Sequence, residues 1–295
     1  MRTISVHISN LILAKAKDYN MLFKIGLTNF VVFSSVIGYM VGADKIKLIP
    51  VLMITLSGYL ITGAANAINQ IIEKDIDKLM DRTMNRPLPT QRMSIVEASL
   101  IAGIASISGI LIITLYFNTT AGLLSALSLI SYAFLYTPLK RYSSIAVFIG
   151  AIPGALPPII GYVAATTHLN QFAFLLFLIQ FIWQFPHFWA IAWLKYEDYK
   201  KAGIMLLPSK GGRNRNSALM CVIYVIALIV AGFLPFVFSQ IGLIGTLILS
   251  ATGILFLIPA VRLYYTQDDK DAKRLMFASL LYLPVCLFVV LLDKI

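Results

Sequence analysis

Residues 49 to 81 read IPVLMITLSGYLITGAANAINQIIEKDIDKLMD. From Ile49 to Ile72 there is no charged side chain, and a helix of roughly 20 apolar residues crosses a hydrocarbon core about 30 Å thick. Glu73, Asp75, Asp77 and Asp81 then follow in quick succession. Negative charge at a helix C-terminus is opposed by the helix dipole, so four carboxylates placed there call for cations. If the helix continues past Ile72, Asn69, Glu73 and Asp77 fall at i, i+4 and i+8, on one face, with Asn66 on the same stripe and Asp75 pointing elsewhere.

The rest of the chain repeats the apolar pattern. Of 295 residues 59% are hydrophobic and 13% charged, and the mean hydropathy is +0.84, which excludes a soluble globular enzyme. Nine apolar runs of spanning length are predicted: Phe23 to Gly42, Ile49 to Ile72, Ile95 to Phe117, Ala121 to Tyr136, Ile145 to Ala165, Phe172 to Leu194, Ser217 to Phe238, Leu243 to Val261 and Leu275 to Leu292. The expected architecture is an all-α membrane bundle forming one domain over residues 1–295, with no separate soluble domain. With nine spans, 21 of the 24 Lys and Arg residues fall on one face, and only Lys45, Lys47 and Lys294 on the other. That asymmetry marks the basic face as cytoplasmic, and it accounts for the +11 charge without nucleic acid. Cys221 and Cys286 lie inside apolar runs, where two separated thiols read as core residues. Met1 to Asn20 lacks the pattern of a signal peptide and of an Arg-rich import leader, which points to a bacterial inner membrane.

Ionisable groups avoid the centres of the spans, contrary to the usual signature of an ion-coupled transporter. The chemistry is expected at the cytoplasmic edge. Oxygen donors without His or Cys suit a hard cation, and Mg²⁺ is typically held by one or two carboxylates together with substrate phosphates. Arg82, Arg86 and Arg92 follow the acidic cluster in the same loop, and guanidinium forks suit phosphate oxygens. A diphosphate site and an ordinary positive-inside loop of internally paired charges both fit this pattern. Tyr136-Thr-Pro-Leu-Lys140-Arg141 ends the fourth span at the same face and delivers two more cations. Pro153, Pro157 and Pro158 break the fifth span, leaving backbone groups that neighbours must satisfy.

The second polar concentration starts at Gln180 and runs through Trp183-Gln184-Phe-Pro-His187-Phe-Trp189 to Asp198. On one continuous helix Gln180, Gln184, His187 and Asp198 would share a face. An intramembrane histidine fits hydrogen-bonded structure as well as a ligand, and the surrounding Trp and Tyr residues fit an interfacial belt as well as a flat conjugated molecule.

These stretches together resemble the UbiA-type membrane prenyltransferase superfamily. Asn69-x-x-x-Glu73-x-x-x-Asp77, with Glu73 where most members have Asp, is similar to its first acidic motif. Arg82-Thr and Arg86-Pro-Leu-Pro follow as in the family, and Tyr-Thr-Pro-Leu-Lys-Arg at 136–141 also matches. Trp183-Gln-Phe-Pro-His187-Phe-Trp and Asp198-Tyr-x-x-Ala-Gly203 resemble the heme-modifying branch, in which His187 and Leu194 replace two aspartates of the quinone-pathway relatives. The resemblance implies a Mg²⁺-dependent transfer of a farnesyl group from farnesyl diphosphate to protoheme IX. It implies that Asn69, Glu73, Asp77 and Asp198 are catalytic and hold Mg²⁺ by way of the diphosphate, that Arg82, Arg86, Lys140 and Arg141 contact the diphosphate, and that His187 and Gln184 lie on the heme side. Heme A synthase or the terminal oxidase assembly are its implied protein partners, beside the lipid bilayer. An aromatic quinone precursor as acceptor, and a permease with a broken fifth span, are the alternatives.

Overall fold

The computed structural model describes residues 2–294, with side chains from residue 12 onward, so the side chain of Arg2, counted above with the basic face, lies outside the described residues. The elements are α1 (Arg2–Phe23), α2 (Ile25–Gly42), α3 (Leu48–Asp77), α4 (Ile95–Tyr116), α5 (Thr119–Ile130), a π-helical turn (Ser131–Tyr136), α6 (Thr137–Leu139), α7 (Ala146–Thr166), α8 (Gln171–Leu194), α9 (Tyr196–Lys201), α10 (Arg215–Val237), α11 (Leu243–Thr266) and α12 (Asp269–Leu292). Among the described residues nine segments are long and apolar enough to span a membrane, in the order the apolar runs predict. Several helices outrun their apolar stretches, as α3 does by carrying Glu73 and Asp77 beyond Ile72. A helix needs apolar side chains only across the hydrocarbon core, so its hydrogen-bonded backbone continues past the apolar run without penalty.

The N-terminal segment has no apolar run of spanning length. The structure makes it α1, broken from α2 at Lys24, which adopts the left-handed conformation (φ 46°, ψ 54°). The break leaves carbonyls without helical partners, and α3 supplies amides: Gln70 Nε2 donates to Leu22 O at 2.6 Å and Met21 O at 3.1 Å, and Asn66 Nδ2 to Phe23 O at 3.3 Å. Asn66, expected on the functional stripe, thus holds the α1–α2 elbow against α3.

Helix α7 lies against α2, α5 and α8 and is the most enclosed span. Its prolines cannot donate to the carbonyls four residues back. Pro157 orphans Pro153 O, which accepts Ser128 Oγ of α5 at 3.2 Å. Pro158 orphans Gly154 O, which accepts Gln180 Nε2 of α8 at 3.1 Å. The approach of α2 to α7 is equally specific, since a Cβ at Gly38 would strike the Pro158 backbone. Small residues at such crossings let helices meet where lipid supplies no hydrophobic drive.

Candidate active site

Because α3 remains helical to Asp77, its polar stripe faces the bundle. Asn69, Glu73 and Asp77 are 2%, 2% and 0% exposed, whereas Asp75 turns outward to Lys78. Asn69 Nδ2 donates to Glu73 Oε2 at 2.9 Å and to Thr137 Oγ1 at 3.1 Å. The π-helical turn Ser131–Tyr136, of a kind frequent at functional sites, leads into α6, after which Lys140 enters the site. Lys140 Nζ lies 2.7 Å from each Glu73 carboxylate oxygen, with a directed hydrogen bond only to Oε2. Arg86 Nη1 donates to Asp77 Oδ2 at 2.7 Å. Asp77 Oδ1 remains buried without a hydrogen-bond donor, a costly arrangement unless a further cation or donor meets it, while Glu73 Oε1 lies against the Lys140 ammonium without a directed bond.

Arg82, itself exposed, has its guanidinium 5.8 Å from the ring centre of Tyr199. Burial raises the Tyr199 hydroxyl pKa above its ordinary value, although the charge of Arg82 acts the other way. Lys24, which sequence reading counted only as a topological charge, also belongs here. Its Nζ donates to Asn69 Oδ1 at 3.0 Å. Burial first, then the positive charges of Arg86 and Lys140, push its ammonium well below the usual lysine range. The available signal was one lysine interrupting Leu22-Phe23-Lys24-Ile25, which by itself does not tell an inward side chain from a snorkelling one.

The structure places three sets of expected site residues apart from this cluster. Arg141 is exposed and, among the described residues, has no side-chain hydrogen bond or ion pair, so it does not join Lys140. The shared face of Gln180, Gln184, His187 and Asp198 does not form, because the chain breaks at Lys195, between α8 and α9. Gln184 Nε2 donates to Ala151 O at 3.0 Å and Gln180 O at 3.1 Å, facing α7. His187 instead faces α12 through Ser279 and stacks on Trp183 at 4.8 Å. Finally, Asp198 does not complete one carboxylate cluster with Glu73 and Asp77, and among the described residues no three of His, Cys, Asp and Glu come together to hold a metal. Its carboxylate accepts the backbone N–H groups of Asp81 at 2.8 Å and Arg82 at 3.4 Å, binding α9 to the arginine loop.

A polytopic helix bundle with buried acids and a surplus of cations at the end of one span defines a membrane enzyme acting on an anionic substrate. Residues 31–281 match the model of the UbiA prenyltransferase family, and the chain belongs to that family; it is a multi-pass membrane prenyltransferase. It is 45% identical to the protoheme IX farnesyltransferase of Cytophaga hutchinsonii, over 94% of this chain and 97% of that one. The fold resembles a solved digeranylgeranylglyceryl phosphate synthase (TM-score 0.78, 21% identity, covering 95% and 98% of the two chains). It also resembles a UbiA homologue from Archaeoglobus fulgidus bound to DMAPP and Mg²⁺ (TM-score 0.68, 17% identity, covering 92% and 99%).

Proposed function

We propose that this chain, as one membrane-embedded domain, transfers a farnesyl group from farnesyl diphosphate to a vinyl group of protoheme IX, giving heme O. The observation that carries the reading is the buried Asn69–Glu73–Asp77 stripe with Lys140 and Arg86 paired on it. The acceptor comes from the likeness to protoheme IX farnesyltransferases. In the reaction the allylic C1–O bond breaks and its electron pair leaves with the diphosphate. The vinyl group bonds to C1, and water adds to the resulting cation with loss of a proton.

The chain's own task is to receive the departing diphosphate. Arg82, Arg86 and Lys140 supply charge-assisted donors to its oxygens, and Asp198 positions Arg82 through the loop backbone. The fit to a hard cation rests on the all-oxygen donor set: Asp77 Oδ1 is buried without a donor, and Glu73 Oε1 is met only by the Lys140 ammonium. With Asn69 they would hold Mg²⁺, which when bound neutralises charge on the leaving group. On the heme side, Ser279 Oγ donates to Met276 O, so its 2.7 Å contact with His187 is satisfied by the tautomer carrying the proton on Nδ1. Nε2 then keeps a free lone pair, which favours an axial ligand over a propionate contact. The charge asymmetry supports a bacterial inner membrane with the site facing the cytoplasm, and heme A synthase or terminal oxidase assembly would receive the product.

The test is to incubate the detergent-purified protein with reduced protoheme, farnesyl diphosphate and Mg²⁺, with and without EDTA, and to look by mass spectrometry for a farnesyl-plus-water adduct. An EDTA-sensitive adduct is expected. Intact heme and donor with folded protein would overturn the acceptor, and turnover of 4-hydroxybenzoate instead would reassign it.

A further inference from the structure

Lys24 stands at the α1–α2 elbow in a left-handed backbone conformation that an ordinary side chain disfavours. Strain of this kind persists where surrounding structure over-determines it, and it clusters at functional sites. Here Gln70 and Asn66 hold the carbonyls before the elbow, and Thr28 Oγ1 donates to Phe23 O from the other side at 2.7 Å. A lysine serving only topology would reach outward to the headgroups. Lys24 reaches inward to Asn69 Oδ1, which uses one of its three N–H groups.

The charges around it do not balance. Lys140 is matched by Glu73 and Arg86 by Asp77. Lys24 on Asn69 and Arg82 beside Tyr199 have, among the described residues, no ion-pair partner. With Arg82 unmatched, cations outnumber the two carboxylates even before Lys24 is counted, a surplus that favours the arrival of an anion.

We infer that Lys24 is a further diphosphate-binding residue, contributed by the α1–α2 elbow and donating directly to the phosphate oxygens. This rests on the prenyl-diphosphate reading above. It assigns the N-terminal helix a part in the site, since α1 and α2 together set where that ammonium stands.

Lys24→Gln keeps an N–H donor for Asn69 Oδ1 and removes the charge. With Mg²⁺ present, calorimetry on the detergent-purified full chain should show inorganic diphosphate binding weakened by about 10- to 100-fold, the loss expected for one charge-assisted contact. KM for farnesyl diphosphate should rise in parallel, heme binding followed by its Soret band should be unchanged, and Lys24→Arg should recover most of the affinity. Lys17→Gln, at an exposed lysine of α1, should bind as the unmodified protein does. Undiminished diphosphate binding by Lys24→Gln would overturn the inference, as would an equal loss of heme and diphosphate binding. Failure of the unmodified protein to bind diphosphate would overturn the prenyltransferase site along with it. If the variant does not survive purification, acetylation decides the matter in the native chain: diphosphate with Mg²⁺ should protect Lys24 and not Lys17, and equal labelling of Lys24 with and without diphosphate would overturn the inference.

Discussion

Asn69, Glu73 and Asp77 on α3 and Gln180 and Gln184 on α8 are buried to within 5% exposure, and the two groups serve opposite ends. On α8 the amides donate to Gly154 O and Ala151 O, joining α8 to α7 and meeting a carbonyl that Pro158 cannot serve. On α3 the carboxylates meet charged side chains from two other segments, Lys140 and Arg86; a buried oxygen with no hydrogen-bond donor occurs in both regions, at Asp77 Oδ1 and at Gln180 Oε1. Burial alone therefore does not mark a functional polar group in a membrane bundle. A neutral side chain bonded to fixed backbone completes the fold, whereas an ionised one bonded to other charges is poised for a ligand.

The largest effect separating the two regions is expected at Asp77. Asp77→Asn should lower farnesyl transfer by about 1000-fold, on the scale of losing one electrostatic contact to a developing anion, while the thermal midpoint stays close to that of the unmodified protein. A fall in stability with activity per folded molecule retained would move Asp77 to the structural side. Gln180→Leu should do the reverse. Leaving Gly154 O without its donor should cost about 1 kcal/mol of stability, seen as a lower melting temperature in detergent, with turnover per folded molecule preserved to within a few-fold; a large loss of turnover at unchanged stability would erase the distinction. The smallest effect belongs to Arg141→Ala, for which KM for farnesyl diphosphate should change by less than about twofold, as for an exposed charge. A tenfold rise would show that the segment after α6 closes onto the substrate.

Hydropathy alone set the number and order of the spans, because crossing a bilayer demands long apolar helices whatever packs beside them. Helical periodicity likewise placed Asn69, Glu73 and Asp77 on one face, since i, i+4 neighbours need no knowledge of the rest of the chain. What lay beyond reach was everything decided by where helices stop and which neighbours they meet. The chain break at Lys195 took Asp198 off the α8 stripe and onto the backbone of the arginine loop. Contacts with α7 and α12 sent Gln184 and His187 to different partners. Lys140 and Arg141 are adjacent in sequence and alike in charge, yet only one faces Glu73. Lys24 became a site residue solely because α1 ends where α3 can satisfy its last carbonyls. Periodic burial is a local property that a sequence carries along each helix, whereas the pairing of charges across 45 or 67 residues exists only once the bundle has closed.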